Sequence, residues 1–284
     1  MSLTTLVALP DKKKSAPNDR AAVLLVRSAF IILMLIAWET IVRVYDIPAY
    51  KFPALYGWGD GPLQTSQGSV AYWIFKLAKG GELAGAIRGS IGRMLIGYGI
   101  SLILGIGLGI LLARVWIVKQ TIGSLVMALQ SLPSICWLPF AFLWVGMNQQ
   151  AIIAVIILGA LFSIAISTEG AIRNVPPIYT KVGRVLGAQR FALSRDILFF
   201  AALPEVLGGM KVGWTFAWRS LMAAELINPN VPGLGVLLQT GRDYNDMGYM
   251  FATVLVILAF GLIVDAAIFG TIERMVRKRY GLER

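Results

Sequence analysis

The chain has 284 residues, of which 57% are hydrophobic and only 14% are charged, and its mean hydropathy is +0.72. No ordinary soluble domain has this composition, so the sequence predicts a membrane protein. The net charge of +11 does not indicate a nucleic-acid partner, because the basic residues are distributed according to the sides of a membrane.

Several kinds of chemistry are excluded by residue types that the sequence lacks. It contains no histidine and a single cysteine, Cys136, which excludes His-centred acid–base catalysis, a His/Cys zinc site and an intrachain disulfide. It contains no G-x-x-x-x-G-K-[ST] motif, so we do not expect the chain to hydrolyse ATP itself. An enzyme embedded in the membrane would need clustered acids, nucleophiles or metal ligands. With no histidine that cluster is missing, so this class of protein is disfavoured.

Six apolar segments, each near the roughly 20 residues needed to cross a bilayer, predict an all-α membrane protein with six transmembrane helices. Their predicted bounds are Ala21–Val44, Ile91–Ala113, Thr121–Val145, Ala151–Ala171, Glu205–Ile227 and Met250–Ile272. The first is too long for the apolar core of a signal peptide, and no small-residue cleavage site follows it. The expected organisation is a tail (1–20), a six-span domain (21–273) and a basic tail (274–284).

The basic residues predict the orientation of these spans. With the first tail in the cytoplasm, sixteen of the 26 Lys and Arg residues lie inside, five lie outside and five fall within spans. Because cytoplasmic loops carry the excess of positive charge, both termini are expected to be cytoplasmic.

The outside segment (45–88) between the first two spans is rich in aromatic and turn residues. It is interpreted as an interfacial loop, with docking of an extracytoplasmic binding protein as the alternative. The second span carries Ser101, Gly105 and Gly109 at a spacing of four, which predicts close helix packing.

The third span contains two prolines six residues apart, Pro133 and Pro139, which are predicted to break the helix twice. Freed backbone groups in a membrane are tolerated only against protein or a water-filled cavity, and broken helices are where many transporters place their pathway. Ser131, Pro133 and Trp137 are therefore candidate pathway residues. A kink that serves only packing is the alternative.

The fifth span combines Lys211, Trp214, Trp218, Arg219 and Glu225. Lys211 and the two tryptophans fall on one side of a helix, which indicates a positive, aromatic-lined passage suited to a small anion. A pair between Arg219 and Glu225 is disfavoured by their spacing of six, but a pair with another helix or subunit stays open.

Three further carboxylates lie at or within apolar segments. Glu169 is near the cytoplasmic end of its span, where its side chain can reach water, and it is interpreted as structural. Asp265 is interpreted in the same way if it pairs with a basic neighbour. Glu39, in the first span, is likewise expected to need a partner.

The long loop between the fourth and fifth spans (173–200) is basic and has helical periodicity. Its basic residues are Arg173, Lys181, Arg184, Arg190 and Arg195. One interpretation is an amphipathic helix that docks a soluble partner under the membrane, and the other is a loop that only sets topology.

This loop resembles the cytoplasmic coupling loop of ABC importer permeases, whose pattern is E-A-A, three residues, Gly, nine residues, I-x-L-P. Gly187 takes the place of the glycine and Ile197 that of the isoleucine, whereas Lys181–Gly183 replace E-A-A. Leu203-Pro204 is similar to a second L-P of the nitrate, sulfonate and taurine branch. Two other motifs resemble the same family. They are S-x-x-R, formed by Ser90 and Arg93, and P-x-x-x-W-L-P, which begins at Pro133.

The resemblance implies the permease subunit of a type I ABC importer in the inner membrane of a bacterium, closest to the nitrate, taurine, aliphatic sulfonate and bicarbonate branch. It implies a homodimer, two cytoplasmic ATPase subunits that bind the ATP, and an extracytoplasmic substrate-binding protein, with no cofactor in this chain. Energy would pass through a coupling helix at Pro177–Leu193, where Gly187 and Ala188 would allow close approach and Arg184 and Arg190 would meet acidic surface. The substrate would be selected largely by the binding protein.

A stand-alone secondary transporter is the alternative from another class. It would be expected to show inverted hydropathy repeats and ion-coordinating carboxylates at mid-membrane. The sequence contains no convincing repeat of that kind, which favours the importer.

Overall fold

A computed structural model describes residues 17–57, 68–189 and 192–279, and every regular element in those ranges is helical. The helices are α1 (Pro17–Val44), α2 (Val70–Lys79), α3 (Glu82–Arg114), α4 (Trp116–Ser131), α5 (Leu138–Val145), α6 (Gln149–Arg173), α7 (Pro177–Val185), α8 (Phe199–Ile227), α9 (Leu234–Asp243), α10 (Met247–Val264) and α11 (Gly270–Arg279). A 3-10 turn (Ser134–Trp137) precedes α5, and π-helical segments (Leu193–Leu198 and Asp265–Phe269) precede α8 and α11. The all-α prediction is confirmed over these ranges.

The predictions for residues 1–16 and 280–284, for the turn-rich stretch 58–67 and for Arg190 concern positions outside the described residues. The orientation of both tails stays a prediction.

Among the described residues, four helices are long and apolar enough to cross a membrane: α1, α3, α6, and α10 together with its continuation to Val276. Helices α4 and α5 meet that criterion only as one broken span, bent by 102°. Helix α8 has 29 residues, which corresponds to about 43 Å at the rise of an α-helix, but it carries several charges. The prediction of six spans therefore depends on α8 and stays a prediction.

The core is built around α6, which lies between α3 and α8 and packs along both. Ile152, Ile156 and Ile164 of α6 are fully buried there. Helix α1 is peripheral and leaves most of its apolar side chains exposed, as expected for a helix whose neighbour is lipid.

The predicted stripe of small residues on α3 serves this packing. Ser101, Gly105 and Gly109 are buried against α6. A methyl group added at Gly105 would lie 2.8 Å from Cβ of Ile164, which is closer than carbon atoms can approach. The hydroxyl of Ser101 donates to the carbonyl of its own helix at Gly97, 2.7 Å away, so no polar group is left unpaired in the contact. The stripe is a packing feature, as predicted.

The predicted outside segment contributes α2, which packs against α10. Asp246 caps the start of α10 by accepting from the backbone N–H of Tyr249 at 2.9 Å. The same carboxylate accepts from Nε1 of Trp73 at 3.1 Å, which connects α2 to the capped end.

Candidate functional site

The chain interrupts its third predicted span once, not twice. Helix α4 ends at Ser131, where the extended conformation of Leu132 and Pro133 redirects the backbone into the 3-10 turn. Pro139 lies in the first turn of α5, a position where the missing N–H of proline costs no hydrogen bond. The two prolines therefore flank a single break, and the prediction of two breaks was wrong.

The break opens onto a cavity of about 320 Å³ between α4, the 3-10 turn, α6 and α8. Its walls are formed by three groups of residues. These are residues 129–135 of the broken helix, Leu158, Gly159, Phe162 and Ser163 of α6, and Phe216, Arg219 and Ala223 of α8.

Gly159 lets these elements approach one another. A Cβ added there would collide with the hydroxyl of Ser220 on α8 and would come within 3.2 Å of Cβ of Ser134. The absent side chain therefore brings α8 and the 3-10 turn against α6, at the wall of the cavity.

The structure brings together three of the predicted pathway residues, Ser131, Pro133 and Arg219, at this cavity. Trp214 instead packs edge-on against Tyr98, with ring centroids 5.1 Å apart. Trp218 stacks on Phe260 at 5.1 Å.

Trp137, at the end of the 3-10 turn, is partly buried against the main core and lies 6.2 Å from the ring of Phe140. None of the three tryptophans lines the cavity.

Arg219 is exposed at the cavity, and within the described part of the chain it forms no ion pair and no hydrogen bond. The described residues that line the cavity include no Asp or Glu. A guanidinium offers five N–H donors in a planar fork, which matches the oxygens of a carboxylate or another oxyanion.

Lys211 is separated from Arg219, although both were predicted for one passage. Its ammonium forms an ion pair of 2.8 Å with Asp265, at the start of the second π-helical segment. It lines a different cavity, of about 620 Å³, together with Phe269 and Glu273. The interpretation of Asp265 as a structural partner of a basic residue is confirmed.

Glu169 and Glu39 also have partners. Glu169 pairs with Lys119 at 2.5 Å and with Arg173 at 3.2 Å, which confirms its structural interpretation. Glu39 pairs with Arg43 and accepts from the backbone N–H of Leu55 at 2.8 Å.

Glu225 does not line the cavity. It is fully buried and forms an ion pair of 2.6 Å with Arg93 of α3, whose side chain is 2% exposed. The hydroxyl of Ser90 and the backbone N–H of Gly235 also donate to its carboxylate, at 2.8 and 3.0 Å. This is the pairing with another helix that the sequence left open, and it removes Glu225 from the candidate pathway residues.

The same group of residues holds the segment that enters α9. Arg93 donates to the carbonyl oxygen of Pro232 at 2.6 Å, and Ser90 Oγ accepts from the N–H of Leu234 at 2.9 Å. Added side chains at Gly233 or Gly235 would collide with Glu225. We call Ser90, Arg93 and Glu225 the buried ion-pair centre. The motif S-x-x-R thus has a structural role.

The basic loop forms a shorter helix than predicted. Helix α7 ends at Val185, and Gly187 follows it with φ of +81°. The N–H of Gly187 bonds to the carbonyl of Arg184, and the N–H of Ala188 to that of Gly183, at 3.0 and 2.9 Å. This pair of bonds is the Schellman motif, which ends a helix at a left-handed glycine. The predicted extent of Pro177–Leu193 was therefore wrong.

Within this chain the close contact of the loop lies at Gly183, whereas the approach predicted for Gly187 and Ala188 is to an ATPase subunit and stays a prediction. A Cβ at Gly183 would collide with the end of the Leu193 side chain, whereas nothing lies within 4 Å of one at Gly187. Arg184 is exposed and Ala188 half-buried, and Arg190 is not described.

Sequence reasoning missed Ser163 of α6, a buried member of the cavity wall. Gly159, Ser163 and Ser167 recur at a spacing of four on an otherwise apolar helix. That stripe was the available signal, because it is the same small-residue pattern that was recognised on α3.

Residues 105–277 match the model of the family of binding-protein-dependent transport system inner membrane components. The chain belongs to this family. Its matched region includes the broken helix, α6, α7 and α8, so the cavity and the loop with α7 both lie inside the family domain.

Curated relatives of this permease include two named for the transport of small anions. The bicarbonate transport system permease protein CmpB of Synechocystis sp. is 28% identical over 63% of this chain and 64% of its own length. The nitrate import permease protein NrtB of Leptolyngbya laminosa is 27% identical over 67% of this chain and 68% of its own. The chain thus spans about two thirds of the length of these relatives.

Among solved structures, this permease is similar to a chain of the MetNI methionine ABC transporter in an inward-facing conformation. The TM-score is 0.59 at 21% identity, over 69% of this chain and 96% of that one. An amino acid ABC transporter gives 0.56 at 14% identity, over 72% and 98%. These likenesses concern the fold.

Proposed function

We propose that the chain is the membrane-spanning permease subunit of an ATP-driven importer for a small anion. The observation that carries the proposal is Arg219, a cation without a carboxylate partner among the described residues, at a cavity formed by a broken helix. Family membership supports the importer, and the names of the bicarbonate and nitrate relatives support the anion.

The physical argument depends on the cost of an isolated charge. An ionisable group within a membrane protein is costly unless a partner or a wet cavity receives it. A water-filled cavity between low-dielectric walls focuses the field of Arg219 and raises the local concentration of anions. Backbone groups freed at the break, near Ser131 and Pro133, would be satisfied by water or by the passing solute.

The chain would work as a homodimer with two cytoplasmic ATPase subunits, which bind the ATP, and an extracytoplasmic binding protein. We assign the contact with the ATPase to α7. Its end exposes Val185 and Leu186 almost fully, at 87% and 77%, beside the exposed Arg184. Large apolar side chains grouped with a cation on a water-facing segment are typical of a surface that docks a protein.

Uptake by the intact complex in proteoliposomes tests the proposal. Nitrate, bicarbonate and an aliphatic sulfonate without an amine are compared with choline, at saturating binding protein and with ATP inside. We expect ATP-dependent uptake of one of the anions, and Arg219→Gln should slow it by about tenfold or more. The affinity of the binding protein for the anion is unchanged, because the substitution is made in the permease and not in the binding protein. Uptake of choline at equal rates by both forms would refute the proposal.

The ATPase contact is tested separately at Gly187. Gly187→Val forces a β-branched residue into a left-handed conformation and should unwind the end of α7, whereas Gly187→Asn is the matched control because asparagine tolerates that conformation. We expect substrate-stimulated ATP hydrolysis to fall in the valine variant only. Equal stimulation in both would place the contact elsewhere.

A further inference from the structure

The cavity at the broken helix has a second unusual feature besides Arg219. Ser163 is only 2% exposed, and its buried hydroxyl has no hydrogen-bond partner. Within the described ranges it is the buried side-chain N or O atom that lacks one. Buried polar groups are nearly always satisfied, so an exception needs a physical explanation.

Other buried serines show that this is not a general property of the fold. Ser90 donates to Glu225, Ser101 to the carbonyl of Gly97, and Ser220 to the carbonyl of Phe216 at 2.7 Å. The hydroxyls of Ser101 and Ser220 thus each donate a hydrogen bond to a backbone carbonyl of their own helix, as serines in membrane helices commonly do. Ser163 does not.

The other polar side chains of the cavity wall add to this excess of donors. Gln130, Ser134 and Arg219 line the cavity, and within the part of the chain that the structure describes none of their side chains forms a hydrogen bond. Ser131 differs, because its hydroxyl donates to the carbonyl of Ala128 at 2.7 Å. The wall therefore offers N–H and O–H donors with no carboxylate to accept them.

We propose that this cavity is a binding site for one small oxyanion, held by the Arg219 guanidinium and the Ser163 hydroxyl. This rests on the proposed function and adds to it that the permease itself, and not only its binding protein, recognises the substrate. The donors favour an anion over a cation, and the fork of the guanidinium favours oxygens over a halide. The volume of about 320 Å³ admits a nitrate, bicarbonate or small sulfonate with some water.

A reporter thiol at Ser131 measures occupancy of this site directly. Ser131→Cys is made with Cys136→Ala, so that the cavity carries the single thiol of the chain. The position is exposed and lines the cavity, and its own hydroxyl is not among the free donors. The complex with its ATPase subunits is placed in nanodiscs without binding protein. Modification is followed with an anionic methanethiosulfonate ethylsulfonate and with its cationic trimethylammonium analogue.

We expect the anionic reagent to react preferentially, and Arg219→Gln to lower the ratio of anionic to cationic rates by about tenfold. Nitrate or bicarbonate should slow the anionic reagent at constant ionic strength, whereas chloride should not. Ser163→Ala should raise the protecting concentration by about tenfold, because one hydrogen bond to a charged acceptor is lost. Ser220→Ala is the matched control: it removes a buried hydroxyl that already has an acceptor, and it should change nothing.

Equal protection by nitrate in the Ser163→Ala and Ser220→Ala variants would overturn the proposal, as would equal protection by chloride. The uptake assay separates this outcome from failure of the proposed function. If the complex takes up an anion but Ser163→Ala does not change protection by nitrate, the proposed importer stands and the proposed oxyanion site is refuted. Uptake of a cation or neutral solute alone removes the anion importer itself.

Discussion

Two of the charged residues of helix α8, six positions apart, have opposite surroundings. Glu225 is fully buried and accepts from Arg93, Ser90 and the backbone at Gly235. Arg219 is exposed at a cavity and, among the described residues, has no partner. We infer that a charge in this membrane domain is structural where the fold supplies its counter-charge, and is available to a ligand where the fold does not.

The Lys211–Asp265 pair lies between these extremes. Its 2.8 Å contact joins Lys211 of α8 to Asp265 in the π-helical segment before α11, and the two side chains are 41% and 47% exposed. Solvent screens such a pair and reduces what it contributes to stability. Neutralising the charge at each of these three sites on α8 is therefore expected to change the stability of the protein by a different amount.

The largest effect is expected at the buried ion-pair centre. Glu225→Gln leaves Arg93 buried with an amide in place of its counter-ion and should lower the free energy of unfolding by about 3–5 kcal/mol. Unfolding of the purified permease in detergent measures this. The double variant Arg93→Met with Glu225→Leu removes both charges and should lose less than the single variant. A double variant at least as unstable would show that the pair is not what holds the segment.

The packing around this centre should give the next effect. Gly235→Ala would place its Cβ 2.6 Å from Cβ of Glu225 and 2.8 Å from the carbonyl of Met222, so overpacking should cost about 1–3 kcal/mol. Gly99→Ala is the control, because nothing lies within 4 Å of a Cβ on that helical glycine. The same unfolding measurement should find it neutral or stabilised. If both variants lost a similar amount of stability, the cost would come from replacing a membrane-helix glycine in general and not from the contact with Glu225.

Local sequence pattern predicts part of this architecture. Long apolar runs predicted helices where α1, α3, α6 and α10 lie, and the spacing of small residues predicted close packing of α3, which the structure shows against α6. Pro133 gave the break, since proline acts through its own ring and its missing N–H. These features depend on residues close to one another in the chain.

The pairing of charges could not be predicted in the same way. Arg93 and Glu225 are separated by 132 residues, and helical spacing on α8 alone shows only that Arg219 is badly placed for Glu225. The positive φ of Gly187, which ends α7, was missed for a related reason. A glycine serves close approach or a positive φ, and the choice depends on backbone geometry that composition does not specify.

A smaller effect is expected at the screened pair. Lys211→Gln should lower the free energy of unfolding by less than about 1 kcal/mol, because both partners are substantially exposed. The exchanged pair Lys211→Asp with Asp265→Lys tests the interaction by restoring opposite charges. Recovery of the small loss in the exchanged pair would confirm that the contact forms in the membrane. A loss as large as that of Glu225→Gln would contradict the ordering.

The smallest effect on stability is expected at Arg219, where the effect on transport is largest. Arg219→Gln removes no contact within the described chain, so the free energy of unfolding should change by no more than about 0.5 kcal/mol. Supplying the missing partner sharpens the point: Ser134→Asp places a carboxylate on the wall of the same cavity. It should leave the fold intact and abolish anion uptake, because the new charge occupies the guanidinium and repels the substrate. A destabilised Arg219→Gln protein would mean that the guanidinium braces an interface, and the charge would then be structural after all.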